Sequence, residues 1–372
     1  MKDSAKRKRG EPRQSLFGRT STSKFKRTKG KKRQHRPLEE KLRKYEVRGE
    51  GYEFVPAMMH LVRRYTSDVG KEKRNTLDRR LASALDEIPR AKELLGKAVK
   101  QHMSIPRELS RRAFSPKYLD MDVGQEIGEA EFSTILRTAR GLTNLSVPDI
   151  RGLLAATGDL THGHKGGCCC PDHRPEPQPP APPTKRPNQY ELTYTKLYCV
   201  DESDPEFAGS DEPYVVFGVI TEEMAEGGTS AQAMHSPVYE DVDDGDTRPA
   251  GGDQNLRLFG FTGPRAIDSS VLVTASCFEN DLGDVSDTTD AVRTALTTAA
   301  TTAAGVGGVA GWVVAGVAVV GIGVTYLVDL IGADDQIGGT LALSLNEALA
   351  DANTSSVNPF IFPPLHFDGG DD

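Results

Sequence analysis

The sequence has few cysteines, and no apolar segment directly follows its first methionine. Five of the 372 residues are cysteine, and three of these are consecutive. This number and spacing do not form a disulfide framework. Met1 is followed by charged residues instead of the apolar core of a secretory signal peptide. We therefore expect a cytoplasmic or peripheral-membrane protein without a secretory signal.

Catalytic motifs are lacking as well. The sequence has no Ser/His/Asp arrangement, no phosphate-binding loop and no paired acid and base. His235 stands beside Ser236 in a predicted turn, and His60 and His102 are isolated histidines that we interpret as surface or core residues. We do not expect an enzyme, and no residue is assigned a catalytic role.

Charge is distributed unevenly along the chain. Residues 1–50 contain 19 Lys and Arg against 6 Asp and Glu, whereas residues 151–372 contain 10 against 33. Residues 1–37 have almost no apolar content, which predicts a disordered basic tail. Such a tail favours nucleic acid or an anionic membrane surface as partner, and the acidic half favours cations.

The pattern from residue 38 to residue 160 predicts a small helical domain. Pro89 is expected to kink or split the longest helix of this domain. The predicted helices cover residues 38–47, 55–65, 76–103, 124–142 and 147–156. Residues 161–189 form a predicted linker, in which eight prolines fall between residues 171 and 187 and favour an extended spacer.

The linker also contains a dense group of soft metal ligands. Cys168, Cys169, Cys170 and His173 can offer thiolates and an imidazole to zinc or copper(I). The spacing matches no common zinc finger, and reactive or lipidated thiols are the alternative. We treat the four residues as a weak candidate for a soft-metal site.

An acidic loop leads into a β-branched and aromatic run at residues 202–220, ESDPEFAGSDEPYVVFGVI. This run is typical of a buried strand. Carboxylates held at the mouth of a strand can bind a hard cation such as calcium, and a solvated acidic turn is the alternative.

Four segments of the acidic half are similar to motifs of one known family and occur in the same order along the chain. They are GSDEPYV at residues 209–215, SPVYE at residues 236–240, VLVTASCFEND at residues 271–281 and DDQIG at residues 334–338. They resemble motifs of C2 domains, with one extra residue, Glu212, in the first. The resemblance covers about half of the chain.

The resemblance implies a calcium- and phospholipid-binding antiparallel β-sandwich at residues 190–360. Residues 361–372 are predicted to form an acidic tail. The resemblance also implies calcium as the cofactor. The implied calcium ligands are Asp204, Asp211, Glu279, Asp281 and Asp335. Two positions depart from the family pattern, because Asp204 lies seven residues before Asp211 instead of six, and Glu279 has a longer reach than Asp.

The third loop of this sandwich carries a large insertion at residues 284–333. It contains no charged residue from 294 to 328 and predicts a hairpin of two helices, at 288–304 and 309–330. About 22 residues at 1.5 Å each span roughly 33 Å, the thickness of a bilayer core. The residues expected in the membrane are Trp312, Val313, Val317, Val320 and Ile322. The alternative is that the two arms pack on each other or on the sandwich in water.

Together these features predict an α+β multidomain protein. The domains are a disordered basic tail, a small helical domain, and a C2-like antiparallel sandwich with an inserted apolar helical hairpin. The expected function is calcium-dependent docking on an anionic membrane surface, with calcium fixing the bases of the hairpin and the hairpin entering lipid. The Gly-rich second helix also permits oligomerisation through close packing. The alternatives are a membrane-active effector or toxin-like protein, and a soluble C2-like interaction module without metal.

Overall fold

A computed structural model gives the structure of most of the chain after residue 50. It describes residues 42, 45, 51–67, 74–142, 188–200, 212–243, 245–249, 255–260, 262–268, 270–280, 285–304, 308–332, 334 and 336–346, with side chains except at 140–142, 308–318 and 346. The predicted basic tail, the cluster Cys168, Cys169, Cys170 and His173, and the predicted acidic tail lie outside the described residues.

The described residues between 51 and 142 form six helices. They are α1 Phe54–Ser67, α2 Thr76–Asp86, α3 Ala91–Ser104, α4 Arg107–Ala113, α5 Pro116–Leu119 and α6 Glu129–Leu142. The side chain of Asn75 caps α2 by accepting a hydrogen bond from the backbone N–H of Asp78, at 2.8 Å. The helical structure is interrupted around Pro89, where α2 ends and α3 begins, and the sequence predicts a kink or split there.

Eight strands and three further helices are described from residue 192 onward. In chain order they are β1 Leu192–Tyr194, β2 Leu197–Tyr198, β3 Pro213–Thr221, α7 Glu222–Gly227, β4 Gln232–His235, β5 Thr247–Arg248, β6 Leu256–Phe259, β7 Ser270–Glu279, α8 Ser286–Ala304, α9 Gly308–Ile331 and β8 Gln336–Asn346. The partial alternation at residues 190–200 gives two short strands instead of one, because the pairing partner changes from β6 to β5.

The main sheet is antiparallel and has the strand order β4-β3-β7-β8. Its central strands β3 and β7 are buried along nearly their whole length, which explains their continuous apolar sequences. One face packs against residues of β1 and β6, so that Phe217 meets Tyr194 with ring centroids 4.9 Å apart. The opposite face is covered by helices.

The hairpin α8–α9 lies on that opposite face, between the main sheet and the helices α1–α6. A Cβ atom at Gly218 of β3 would lie 2.5 Å from Leu296 of α8, so the hairpin touches the sheet directly. A Cβ atom at Gly323 of α9 would lie 3.0 Å from Phe54 and 3.2 Å from Met58, both on α1. The described part of the hairpin is therefore enclosed on both sides by protein.

Several polar groups of α8 have hydrogen-bond partners although most of the helix is buried. Arg293 donates to the backbone oxygen of Ala231 and to the hydroxyl of Ser230, at 2.8 Å each. Thr297 accepts from the N–H of Ala231, and Thr298 donates to the carbonyl four residues earlier. The buried hydroxyls of Thr294 and Thr301 have no hydrogen-bond partner among the described residues, so these contacts offset only part of the cost of burying an Ala/Thr-rich helix.

The α+β class is confirmed by these helices and antiparallel sheets. The C2-like sandwich and the domain boundaries stay predictions. Within the part of the chain that the structure describes, no helix combines the length and the apolarity needed to cross a membrane.

The tight contact at Gly218 gives a first prediction. Gly218→Val should lower the free energy of unfolding by about 1–3 kcal/mol, because added methyl groups collide with Leu296 and with Thr274, 2.8 Å from the Cβ position. Gly96→Ala is the matched control, since nothing lies within 4 Å there, and it should raise the stability of α3 by about 0.5–1 kcal/mol. Urea unfolding measures both, and equal effects would contradict the close packing of hairpin and sheet.

Candidate functional site

Three chain segments meet at one end of the main sheet. Pro213, at the start of β3, pairs with Glu279 at the end of β7. Phe278 of β7 pairs with Gln336 at the start of β8. The segments before β3, after β7 and before β8 therefore share this end of the sheet, which we call the acidic end.

The acidic end is where the sequence places the implied calcium ligands. Glu279 is half-buried as the last residue of β7. Asp211 precedes Glu212, Asp281 follows Asn280, and Asp335 stands between Asp334 and Gln336. These three aspartates and Asp204 lie outside the described residues. Among the residues that the structure describes, no group of three or more His, Cys, Asp or Glu side chains forms a metal-binding cluster.

Hydrogen bonds hold two of the three segments together. The backbone N–H of Asn280 donates to the carbonyl of Glu212 at 3.1 Å, and its side-chain amide donates to the Glu212 carboxylate at 3.4 Å. The N–H of Tyr239 donates to the carbonyl of Pro213 at 3.0 Å. The backbone flanking Asp211 and Asp281 is thereby fixed in adjacent positions.

A buried carboxylate joins the hairpin to the same end of the sheet. Asp334, which is 5% exposed, accepts hydrogen bonds from the Tyr214 hydroxyl and, at 3.1 Å, from the Thr288 hydroxyl. Tyr214 lies on β3, Thr288 in the first turn of α8, and Asp334 just after α9. We call Tyr214, Thr288 and Asp334 the hairpin-base cluster, because they fix both ends of the hairpin to the sheet.

Burial, and then the hydrogen bond to Asp334, raise the pKa of Tyr214 well above the usual value of a phenol. Tyr214 therefore stays a proton donor to Asp334 throughout the physiological range. Its ring stacks on Phe278 of β7, with centroids 5.7 Å apart. The protein itself thus supplies contacts at the bases of the hairpin, where the sequence predicts calcium as the fixing group.

The hairpin-base cluster was not predicted from the sequence. A signal was present, because Tyr214 and Asp334 each belong to a segment that resembles a C2 motif. The C2 resemblance, however, implies the neighbouring Asp335 as the functional carboxylate. Only the fold shows that Asp334 points into the protein, 120 positions away from its partner Tyr214.

Two of the five residues predicted in the membrane contact protein in this structure. Val320 is fully buried in the core between the sheet and the helices, and Ile322 is partly buried against the same core. The side chains of Trp312, Val313 and Val317 lie outside the description. A membrane role for Val320 and Ile322 therefore requires the hairpin to leave its present contacts.

The hairpin-base cluster gives a second prediction. Tyr214→Phe should lower the free energy of unfolding by about 1–3 kcal/mol, because a buried carboxylate then loses one of its two hydroxyl donors. Thr288→Val should have a similar effect, and the double variant should deviate from additivity because both hydroxyls share one oxygen.

Tyr198→Phe is the control for this pair, since Tyr198 is 59% exposed and should tolerate the change. Thermal and urea unfolding of the full chain provide the measurement. A Tyr214→Phe protein as stable as the parent would contradict the role of the cluster.

Comparison with models of protein families, with curated proteins and with solved structures gave no match to this chain.

Proposed function

We propose that the chain docks on anionic membrane surfaces in response to calcium, which binds at the acidic end of the main sheet. The observation that carries this proposal is the strand register. Pro213 pairs with Glu279, and Phe278 pairs with Gln336. The three acidic segments before β3, after β7 and before β8 are distant in sequence but therefore adjoin the same end of the main sheet.

The chemistry of the acidic end suits a hard divalent cation. Calcium takes six to eight oxygen ligands in flexible geometry, and carboxylates with backbone carbonyls are its usual ligands in proteins. The hydrogen bonds between Asn280 and Glu212 order two of the acidic segments in advance, which reduces the entropy lost on binding. Once bound, the cation cancels the negative charge that otherwise repels anionic headgroups.

Insertion of the hairpin forms a second step of this proposal. In the described conformation the hairpin touches the sheet at Gly218 and α1 at Gly323. To enter lipid, it has to give up these contacts and the hydrogen bonds of the hairpin-base cluster. Docking and insertion are therefore separable, and calcium acts on the first.

The enclosed hairpin also favours the second candidate, a membrane-active effector. An apolar helix pair stored between two covers is a form in which a membrane-inserting segment stays dissolved in water. The effector differs from the docking protein in one consequence, because oligomers of an inserted hairpin make bilayers leak. The soluble C2-like module differs from both in having no vesicle binding.

The calcium proposal predicts a stabilisation by mass action. Calcium should raise the melting temperature of the full chain, because the unfolded chain has no assembled site. Asp211→Asn and Asp281→Asn should each reduce that rise and should reduce calcium-dependent sedimentation with vesicles that contain phosphatidylserine. Asp268→Asn, which removes the same charge next to the opposite end of β7, should change neither measurement.

The outcomes of this experiment separate the three candidates. An undiminished calcium response in both acidic-end variants would remove Asp211 and Asp281 from the site. A calcium-dependent melting shift without vesicle binding would indicate a soluble metal-binding module. Release of an entrapped dye from the vesicles would favour the effector.

The predicted basic tail provides a fourth, independent prediction. Binding through residues 1–37 to anionic vesicles or to nucleic acid should be calcium-independent and should weaken steeply as salt concentration rises. Deleting residues 1–37 should abolish this component and leave the calcium-dependent component unchanged. Salt-insensitive binding, or selectivity for a nucleic-acid sequence, would contradict a purely electrostatic tail.

A further inference from the structure

A buried histidine joins the helices α1–α6 to the hairpin. His102, near the end of α3, is 6% exposed, and its Nδ1 atom lies 2.7 Å from the hydroxyl oxygen of Tyr326 on α9. The ring of Tyr326 also meets the rings of Tyr45 and Phe114 edge-on, at centroid distances of 5.2 and 5.1 Å. The helices α1–α6 form the helical cover of the hairpin. We call His102, Tyr326, Tyr45 and Phe114 the cover cluster, because they attach this helical cover to α9.

The charges around His102 oppose its protonation. Arg63 on α1 repels a positive imidazolium, and burial removes the water that would solvate it. On α9, Asp329 accepts a hydrogen bond from the Tyr45 hydroxyl at 3.3 Å. None of the described carboxylates is hydrogen-bonded to His102. Burial first, and then Arg63, lower the pKa of His102 to about 4.

His60 on α1 is a second buried histidine whose protonation is opposed by its surroundings. It is 1% exposed, and its Nε2 atom lies 2.9 Å from the carbonyl oxygen of Gln125. Burial lowers its pKa, the hydrogen bond to Gln125 opposes this, and the charges of Arg63 and Arg64 lower it further against a smaller effect of Asp78. Two neutral imidazoles are thus buried within the cover.

We propose that the cover cluster is an acid-sensitive contact: protonation of His102 detaches α3 from α9 and uncovers the hairpin. This inference goes beyond calcium-dependent docking and does not depend on it, because the cluster involves neither calcium nor the acidic end. The device gives the chain a second way to release the hairpin, driven by acidification alone.

The direction of the pH effect on the opening equilibrium follows from the linkage between proton binding and opening. A free histidine titrates near 6.5, whereas His102 in the closed form has a pKa of about 4, so the open form binds the proton more tightly. The closed form is favoured above pH 6.5, and this advantage is lost as the pH falls from about 6.5 to 4. At pH 5 the equilibrium constant for opening should be roughly 30-fold larger than at pH 7.5.

Hydrogen exchange of the full chain at pH 7.5 and pH 5, without calcium or lipid, tests the proposal. After correction for the intrinsic exchange rates, amides of residues 319–331 in α9 should exchange roughly 30-fold faster at the lower pH. Amides of the central strand β7 should change much less. His102→Asn keeps a polar group near the Nδ1 position without a titratable ring, and should abolish most of the acceleration.

His235→Asn is the matched control, because His235 is an exposed histidine on β4 and the same substitution should leave the acceleration intact. An acceleration that persists in His102→Asn would overturn the proposal. Should that variant fail to fold, the parent chain decides: equal acceleration in α9 and β7 at pH 5 would indicate global unfolding and would equally overturn it.

Discussion

The structure depends on covering an apolar hairpin. From residue 294 to residue 328 the chain has no charge, so α8 and α9 gain stability only where other surfaces remove them from water. The main sheet offers one surface, since β3 carries a glycine at position 218 where Leu296 approaches. The helices α1–α6 offer the other, with α1 against Gly323 and α3 against Tyr326. The sheet, the hairpin and the helical cover thus stabilise one another.

Polar contacts limit how this assembly can open. The hairpin-base cluster fixes both ends of the hairpin to the sheet through one buried carboxylate, and the cover cluster fixes α9 to α3 and to Tyr45. The first lies beside the acidic end, and the second contains a buried imidazole. The two clusters therefore hold different faces of the same hairpin, the hairpin-base cluster its sheet side and the cover cluster the side that faces α1–α6.

The sequence predicts the long elements well, because their signals are local. The apolar run before Ile220 and that before Glu279 became β3 and β7, and Pro89 separates α2 from α3. Both arms of the hairpin begin and end within two residues of the predicted bounds, since glycines and charges flank them. The strands β2 and β5 have two residues each and leave no periodic pattern to recognise.

Which surfaces pack against the hairpin, and which distant residues become partners, could not be predicted from local sequence signals. The weakly apolar, Ala/Thr-rich α8 has no marked apolar stripe, so its sequence does not tell whether sheet, helix or lipid covers it. The partners Tyr214 and Asp334 are 120 positions apart, and His102 and Tyr326 are 224 apart. An isolated histidine in a helix gives no sign of a hydroxyl on a distant one. The strand register shows which three segments flank the acidic end, and calcium binding there, which the C2 resemblance implies, stays a prediction.

The central claim is that the hairpin enclosed in this structure enters lipid after calcium-dependent docking. Trp312 is the only tryptophan of the chain and lies on α9, so its fluorescence reports on the hairpin alone. The account predicts that anionic vesicles with calcium shift its emission and expose it to quenchers carried in the acyl chains, and that a chelator prevents both changes. Calcium-dependent binding to vesicles with an unchanged Trp312 emission and no quenching would contradict the account, because the hairpin would then remain enclosed in the docked protein.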